Sequence, residues 1–244
     1  MKRHGAGWKF PWAARVTTDS LCLMSVQTIS HPERSASFDA AFRARLRDLL
    51  VWRRDVRRFR SDPLPDGTLE ALIELACLAP SVGLSQPWRF VLVENKITRA
   101  GIRQNFAACN AQALAAQSGP RSSLYAQLKL AGLEEAPGHL AVFADRSTEQ
   151  GHGLGRLTMP EMIEYSAVTA VHTIWLAARA QGIGMGWVSI LDPQHVAALL
   201  DVPGDWKFIG YFCLGYPLAD DTVPELEQSG WERRCVPSSV IVRR

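Results

Sequence analysis

Apolar side chains recur at two spacings along this chain, and each spacing predicts one kind of secondary structure. In residues 38–54 and 66–80 they recur every three or four positions, which is the period of one face of an α-helix. We expect Asp66 to cap the second of these helices and Pro80 to end it. The apolar positions of the two helices are Phe38, Phe42, Leu46, Leu49, Leu50, Leu69, Leu72, Ile73 and Ala76.

Four short apolar runs, bounded by turn-forming residues, predict β-strands that are buried on both faces. They cover residues 88–95, 139–145, 184–191 and 207–217. With the helical segments between them, they predict an α+β or α/β sandwich built around one sheet. We find no internal repeat and no second domain.

The segment 158–184 predicts a long central helix. A capping box of Thr158 and Glu161 would start it, with Pro160 in the first turn, and Gly182 would stop it. The helix's own residues are small or apolar on nearly every side. We therefore expect it to pack against the sheet and another helix, and to reach a subunit boundary. His172 on this helix is interpreted as a core or interface histidine.

Composition narrows the class of protein. The 244 residues carry a net charge of +3, too small for a nucleic-acid-binding surface unless the charge is focused. Five cysteines form no C-x-x-C pair, and six histidines show no metal-ligand spacing, which favours a reducing cytoplasm and no metal site. No apolar run approaches the roughly 20 residues that cross a membrane.

Residues 1–37 differ from the rest of the chain, because they mix Arg, Ser, Pro and Gly without a sustained apolar period. We interpret them as a flexible N-terminal extension, or as sequence upstream of a true start at Met24. Residues 38–244 then form a single domain.

The basic charge is concentrated in residues 53–60, the arginine segment, where five of eight residues are arginine and Asp55 is the one acid. A solvated helix end would explain one or two of these arginines. Five repel one another unless an anion is present, and the guanidinium fork suits phosphate. No basic stripe with aromatic residues exists elsewhere, so a small phosphorylated ligand is favoured over nucleic acid.

Two further motifs suit a flat ligand. Residues 80–86 form a loop of small polar residues in which Gln86 offers a donor and an acceptor to an amide-like edge. Residues 182–190, "GIGMGWVSI", combine closely spaced glycines with Trp187 and Ser189. Either motif alone is weak evidence, since most such loops are only turns.

The order of these motifs, followed by "GYFCLGYP" at 210–217, resembles the flavin-dependent nitroreductase superfamily over about residues 40–240. The resemblance implies a dimeric α+β sandwich with a central mixed sheet, and FMN bound at the homodimer interface. It implies a phosphate and ribityl site on the arginine segment, and a flavin ring along the other two motifs. The implied FMN-binding residues are Arg53, Arg54, Asp55, Val56, Arg57, Pro80, Ser81, Leu84, Gln86, Trp187, Val188, Ser189 and Arg233.

Asp55 departs from the serine usual in that superfamily. A carboxylate ~4 Å from phosphate would cost about 4 kcal/mol at an effective dielectric near 20, so we expect Asp55 to face the reactive ring. With "LKLAGLEEAP" at 128–137 and "GRLTMPEM" at 155–162, it resembles the branch that consumes FMN. There reduced FMN, from a separate flavin reductase, is the substrate, dioxygen is the co-substrate, and the ring is fragmented. The resemblance assigns proton transfer to Asp55 and a hydrogen bond to flavin N5 to Ser189.

Two segments and two alternative functions complete the expectations. Residues 122–137 are interpreted as a lid, and the C-terminal tail as a partner-subunit contact whose Arg233 or Arg234 completes the phosphate site. The alternatives are an NAD(P)H-dependent nitroreductase that retains FMN, and a flavin-binding protein without chemistry. Lasting bleaching of the flavin would separate FMN fragmentation from both of these alternatives.

Overall fold

Four antiparallel strands form the central sheet in a computed structural model that describes residues 37–116 and 132–244. The strands are β1 (Trp88–Leu92), β2 (Gly138–Asp145), β3 (Gly184–Val188) and β4 (Trp206–Gly215), in the order β1-β2-β4-β3. All four predicted strands are confirmed. A mixed sheet was expected, but these four strands pair only antiparallel. The one parallel pairing beside them is an isolated bridge between Asp55 and Met185 of β3, which is too short to add a parallel strand.

Helices cover both faces of the sheet. They are α1 (Ala40–Trp52), α2 (Thr68–Ala76), α3 (Lys96–Ala115), α4 (Gly132–Glu135), α5 (Met162–Ala180), α6 (Pro193–Leu199) and α7 (Glu225–Gln228). Alternate residues of β2 enter two cores: Leu140 and Val142 pack with α2 and α5, whereas Ala141 and Phe143 pack with residues of α3 and α6. This two-sided burial explains why the strands read as continuous apolar runs.

The predicted helix starts are wrong in detail. Before α2 the cap position is Gly67, at a φ of 78°, and Asp66 makes no side-chain cap, because the chain enters the helix through a turn. Before α5 the expected box of Thr158 and Glu161 is absent: Glu161 already has helical backbone angles and caps nothing. Turn hydrogen bonds from Met162 and Ile163 to residues 159 and 160 take the place of the cap. Gly182, at a φ of 74°, does follow the end of α5 as predicted.

Two helices present apolar residues to solvent in the single chain. None of the residues of α1 is buried, although the helix forms where its spacing predicts. On α5 one side is exposed, including His172, so the expected burial all around this helix is wrong for one copy of the chain. The exposed apolar residues of these helices are Phe42, Leu46, Leu50, Trp52, Tyr165 and Val168.

The helices and strands all lie in one of two units, Ala40–Arg244, and the other unit is Met1–Asp39. The predicted extension at 1–37 lies outside the described residues except for Ser37, and so does the predicted lid up to residue 131. Over the described ranges, no helix is long and apolar enough to cross a membrane.

A buried polar pair lies beneath α4. His139 Nδ1 is 2.9 Å from the Tyr211 hydroxyl and its Nε2 is 3.1 Å from the Ala136 carbonyl oxygen. Burial, with a smaller contribution from the charge of Arg99, lowers the pKa of His139 from 6.5 to about 4. The neutral imidazole therefore satisfies its neighbours while a protonated one is disfavoured.

This pair predicts a pH dependence of stability. Between pH 6.5 and about 4 the unfolded chain binds the His139 proton and the folded chain does not, so stability falls as pH falls through this window. The full effect is about 3 kcal/mol. We expect His139→Gln to flatten this part of the profile, measured by urea unfolding at several pH values. The exposed His195→Gln is the control; an unchanged slope in His139→Gln would contradict the assignment.

Candidate active site

The arginine segment runs as extended backbone across the edge formed by β3 and the end of β4. The N–H of Val56 donates to Met185 O at 3.1 Å, and the N–H of Arg60 donates to Tyr216 O at 2.8 Å. Phe59 pairs antiparallel with Pro217 in an isolated bridge. The segment is therefore fixed at both ends by backbone hydrogen bonds.

Two glycines of β3 make this close packing possible. A Cβ added at Gly186 would lie 2.1 Å from the carbonyl oxygen of Val56, and one added at Gly184 would lie 2.8 Å from a Val56 methyl group. Neither contact is tolerable for a real side chain. The glycines of the "GIGMGWVSI" motif thus accommodate the arginine segment, a role that the sequence analysis did not identify.

Asp55 joins the arginine segment to β3. Its Oδ1 accepts a hydrogen bond from Trp187 N at 2.8 Å, and its Oδ2 lies 3.4 Å from Arg57 Nε. Burial raises the pKa of the Asp55 carboxyl, while the Trp187 N–H and Arg57 lower it. The side chain is still 37% exposed. One edge of the carboxyl group is thus fixed by the protein and the other remains reachable.

The five arginines diverge rather than form one cluster. Arg54 donates from Nη2 to Ala219 O at 2.5 Å. Beside it lies a cavity of about 310 Å³ lined by Arg54, Arg57 and Arg58, and also by the acids Asp221 and Glu225. Arg60 forms an ion pair with Asp62 at 2.7 Å. Several arginines thus already have acceptors or acids close by.

Arg53 lies apart from this cavity, on the side of α5. Its guanidinium carbon is 5.1 Å from the ring centroid of Trp175, whose Nε1 donates to Arg54 O at 3.1 Å. Burial lowers the pKa of Arg53, and the nearby charge of Arg234 lowers it further. The sequence leaves Arg233 or Arg234 for the phosphate site, with Arg233 named among the implied FMN-binding residues. The fold brings Arg234 near Arg53, and the backbone N–H of Arg233 donates to the Glu232 carboxylate at 2.9 Å.

Helix α5 also holds the loop 80–86. The Thr169 hydroxyl donates to Pro80 O at 2.9 Å, and Ser166 Oγ accepts from Val82 N at 3.0 Å. Trp175, which contacts the arginine segment, is six residues further along, roughly 9 Å along the helix axis. One helix therefore positions the first two predicted motifs.

Within the loop, the predicted ligand groups make contacts of their own. Ser81 Oγ accepts from Gln86 N at 3.1 Å, and Gln86 Nε2 donates to Cys77 O at 3.3 Å. The Gln86 side-chain oxygen accepts from Gln150 at 3.2 Å. Leu84 is exposed, at a φ of 55°. The expected amide-edge partner of the flavin, Gln86, is thus already bonded to the protein.

A second loop, residues 149–155, packs on the first and was missed by sequence reasoning. A Cβ on Gly151 would lie 2.5 Å from Gly83 O, and one on Gly155 would lie 2.7 Å from a Val82 methyl group. The spaced glycines of "GHGLG" are the signal that could have found it. Between the loops, the buried Ser85 hydroxyl has no partner among the described residues.

The third motif divides between core and surface. The ring centroid of Trp187 is 5.0 Å from that of Phe212 and 6.3 Å from that of Trp175. The side chains of Val56 and Val188 are buried, so these two predicted residues can offer a ligand only backbone groups. Ser189 is exposed just after β3, and its hydroxyl has no hydrogen bond to another described residue.

The site contains no metal centre within the described residues, where no group of three His, Cys, Asp or Glu side chains is placed to hold an ion. The groups that the site offers are arginines, the half-buried carboxyl group of Asp55, and exposed hydroxyl and backbone groups.

Residues 50–216 match the model of the nitroreductase family. The chain belongs to this family and is an enzyme. Among solved structures it is similar to oxidized iodotyrosine deiodinase bound to FMN and 3-iodo-L-tyrosine, at 27% identity and a TM-score of 0.63. The match covers 81% of this chain and 97% of the deiodinase.

Within the family, the chain is similar to proteins named 5,6-dimethylbenzimidazole synthase. It is 56% identical to the protein of that name from Rhodospirillum rubrum over 81% of this chain and 93% of the relative. It is 44% identical to the one from Rhodobacter capsulatus, over 80% of this chain and 95% of the relative. The predicted resemblance is confirmed at this level.

The glycine contact predicts the effect of one methyl group. Gly186→Ala places Cβ against Val56 O, and because this neighbour is backbone and cannot rotate away we expect a loss of about 2 to 3 kcal/mol of stability. Gly204→Ala, with open space around its Cβ position, should change stability by less than about 0.5 kcal/mol. Urea unfolding of both variants measures the difference, and equal stability would contradict the contact.

Proposed function

We propose that this protein fragments reduced FMN with dioxygen, giving 5,6-dimethylbenzimidazole, the lower ligand of cobalamin, and erythrose 4-phosphate, with the pyrimidine part of the flavin ring released as a third, oxidised product. FMN is then a substrate and not a retained cofactor. The observation that carries the proposal is Asp55, a half-buried carboxyl group with a raised pKa, fixed to β3 by Trp187 N between the arginines of the segment. The similarity to the named synthases supports the same assignment.

The donor set fits the phosphate of FMN. Arg53 and Arg234 carry like charges close enough for Arg234 to lower the pKa of Arg53, and a dianion between them would relieve this repulsion. On the side of Arg54, by contrast, Asp221 and Glu225 line the cavity and would repel a phosphate. We therefore assign the phosphate to Arg53 and Arg234, and give Arg54 a structural role. Arg57 borders the same cavity as Arg54, but its Nε is directed to Asp55, and we assign it to the phosphate as a third donor.

Asp55 is suited to acid and base work. Its raised pKa brings proton uptake and release closer to neutral pH, and the bond to Trp187 N fixes the carboxyl against β3. Ser189 supplies an unbonded, exposed hydroxyl next to the same strand. We assign proton transfer to Asp55 and a hydrogen bond to flavin N5 to Ser189.

The working form is proposed to be a homodimer. The apolar residues of α1 and of one side of α5 are exposed in the single chain, and their burial would be favourable at about 25 cal/mol per Å². A second copy of the chain is the expected occupant. A separate flavin reductase is the expected source of reduced FMN.

Chemically reduced FMN mixed with the protein in air tests the function. We expect lasting loss of the flavin absorbance near 450 nm and a product with the mass of 5,6-dimethylbenzimidazole. Full return of the absorbance with only hydrogen peroxide formed would contradict the proposal. Recovery together with NADH-driven turnover of quinones or nitroaromatics would identify a nitroreductase, and recovery without turnover a flavin-binding protein.

The role of Asp55 is tested by Asp55→Asn. Asparagine retains an oxygen that can accept from Trp187 N, so the fold should persist, but it cannot exchange a proton. We expect product formation to fall at least about 100-fold, the usual contribution of a general acid or base, with FMN still bound. Asp62→Asn, at an exposed ion pair, is the control and should keep full activity.

The phosphate assignment is tested by Arg234→Ala. Loss of one charged hydrogen bond of about 1.5 to 3 kcal/mol should weaken FMN binding roughly 10- to 100-fold and leave riboflavin binding unchanged. Arg233→Ala is the matched control. Fluorescence titration measures both ligands; an effect of Arg233→Ala alone would show the assignment to be wrong.

A further inference from the structure

Helix α4 ends in a carboxylate that reaches the arginine segment. Glu135 Oε2 accepts a hydrogen bond from the Phe59 N–H at 3.1 Å, across a separation of 76 residues in the chain. Glu135 is half-buried, whereas its neighbour Glu134 is exposed.

Phe59 anchors the arginine segment to the protein. Its ring is 3% exposed and fits against two glycines, since a Cβ on Gly132 would lie 2.8 Å from the ring and one on Gly215 would lie 3.2 Å from it. Gly132 belongs to α4 and Gly215 to β4. The ring thus fastens the segment to both elements.

Strand geometry explains why Phe59 needs Glu135. The N–H of Arg60 and the carbonyl of Arg58 bond to residues 216 and 218, so the Phe59 N–H points the opposite way, towards α4. Among the described residues, no strand pairs with the segment on that side to accept it. A buried N–H without a partner costs about 1 to 3 kcal/mol, and the Glu135 carboxylate supplies the acceptor.

We propose that Glu135 is a positioning residue that sets the path of the arginine segment between Val56 and Phe59, and through it the place of Arg57 beside Asp55. This inference rests on the proposed FMN site. Arg57 lies between two fixed points, the hydrogen bond from Val56 N to Met185 O and the one from Phe59 N to Glu135, and its Nε is 3.4 Å from Asp55 Oδ2. Release of the Phe59 N–H would therefore loosen the segment at Arg57, while Asp55 keeps its own bond to Trp187 N.

Three variants separate this role from general stability. Glu135→Ala removes the acceptor, and Glu135→Gln keeps a neutral one, which makes a weaker bond than a carboxylate does. Glu134→Ala removes a similar charge from the same helix turn without touching Phe59. If Glu135→Ala does not fold, Glu135→Gln is used instead for the hydrogen-exchange and affinity measurements below, with smaller expected effects.

Hydrogen exchange without ligand tests the contact itself. We expect the Phe59 amide to exchange roughly 5- to 100-fold faster in Glu135→Ala, less in Glu135→Gln, and at the wild-type rate in Glu134→Ala. Unchanged exchange at Phe59 in Glu135→Ala and Glu135→Gln would overturn the inference. This readout does not depend on whether the protein binds FMN.

The ratio of FMN to riboflavin affinity tests the positioning role. We expect Glu135→Ala to lower this ratio at least about fivefold and Glu135→Gln to restore most of it. Faster exchange with an unchanged ratio would overturn the positioning role and leave Glu135 a fold contact. Failure of the wild-type protein to bind FMN would instead refute the proposed function. The exchange measurement would still show whether Glu135 accepts the hydrogen bond from the Phe59 N–H.

Discussion

The close approach of Val56 to Gly184 and Gly186 is the contact on which the site depends. Only glycine leaves room for the backbone of the arginine segment to cross β3 at this distance. The hydrogen bond from Trp187 N to Asp55 Oδ1 then sets the direction of the carboxyl group. The groups proposed to bind phosphate and to transfer protons are thereby held by a sheet rather than by a free loop.

Charge is distributed so that the two sides of this segment differ. Towards Asp221 and Glu225, positive and negative side chains balance one another. Towards α5, burial and the nearby charge of Arg234 lower the pKa of Arg53, while the charge of Asp55 raises it. Two positive charges against one acid are proposed to favour an anion on this side. Asp55 lies at the boundary, where burial keeps its proton affinity high while Arg57 limits the rise.

The sequence predicted strands and helices well because both sheet faces are buried and every strand is an apolar run. Helix starts were predicted poorly, since local turns at Gly67 and Pro160 replaced the side-chain caps. For the proposed site, residue types were enough to select the arginine segment and Asp55 as candidates. The side-chain directions of Arg54 and Arg234 depend on contacts distant in sequence. The contact of Glu135 with Phe59 likewise spans 76 residues, and no local pattern reveals it.

A crystal structure of the protein with FMN bound would test the central claim, that the arginine segment held over β3 is the phosphate end of a flavin site. We predict phosphate oxygens within about 4 Å of the guanidinium groups of Arg53 and Arg234, with the ring next to Ser189. A phosphate in the cavity beside Arg54 and Asp221, or FMN bound away from the arginine segment, would contradict the account.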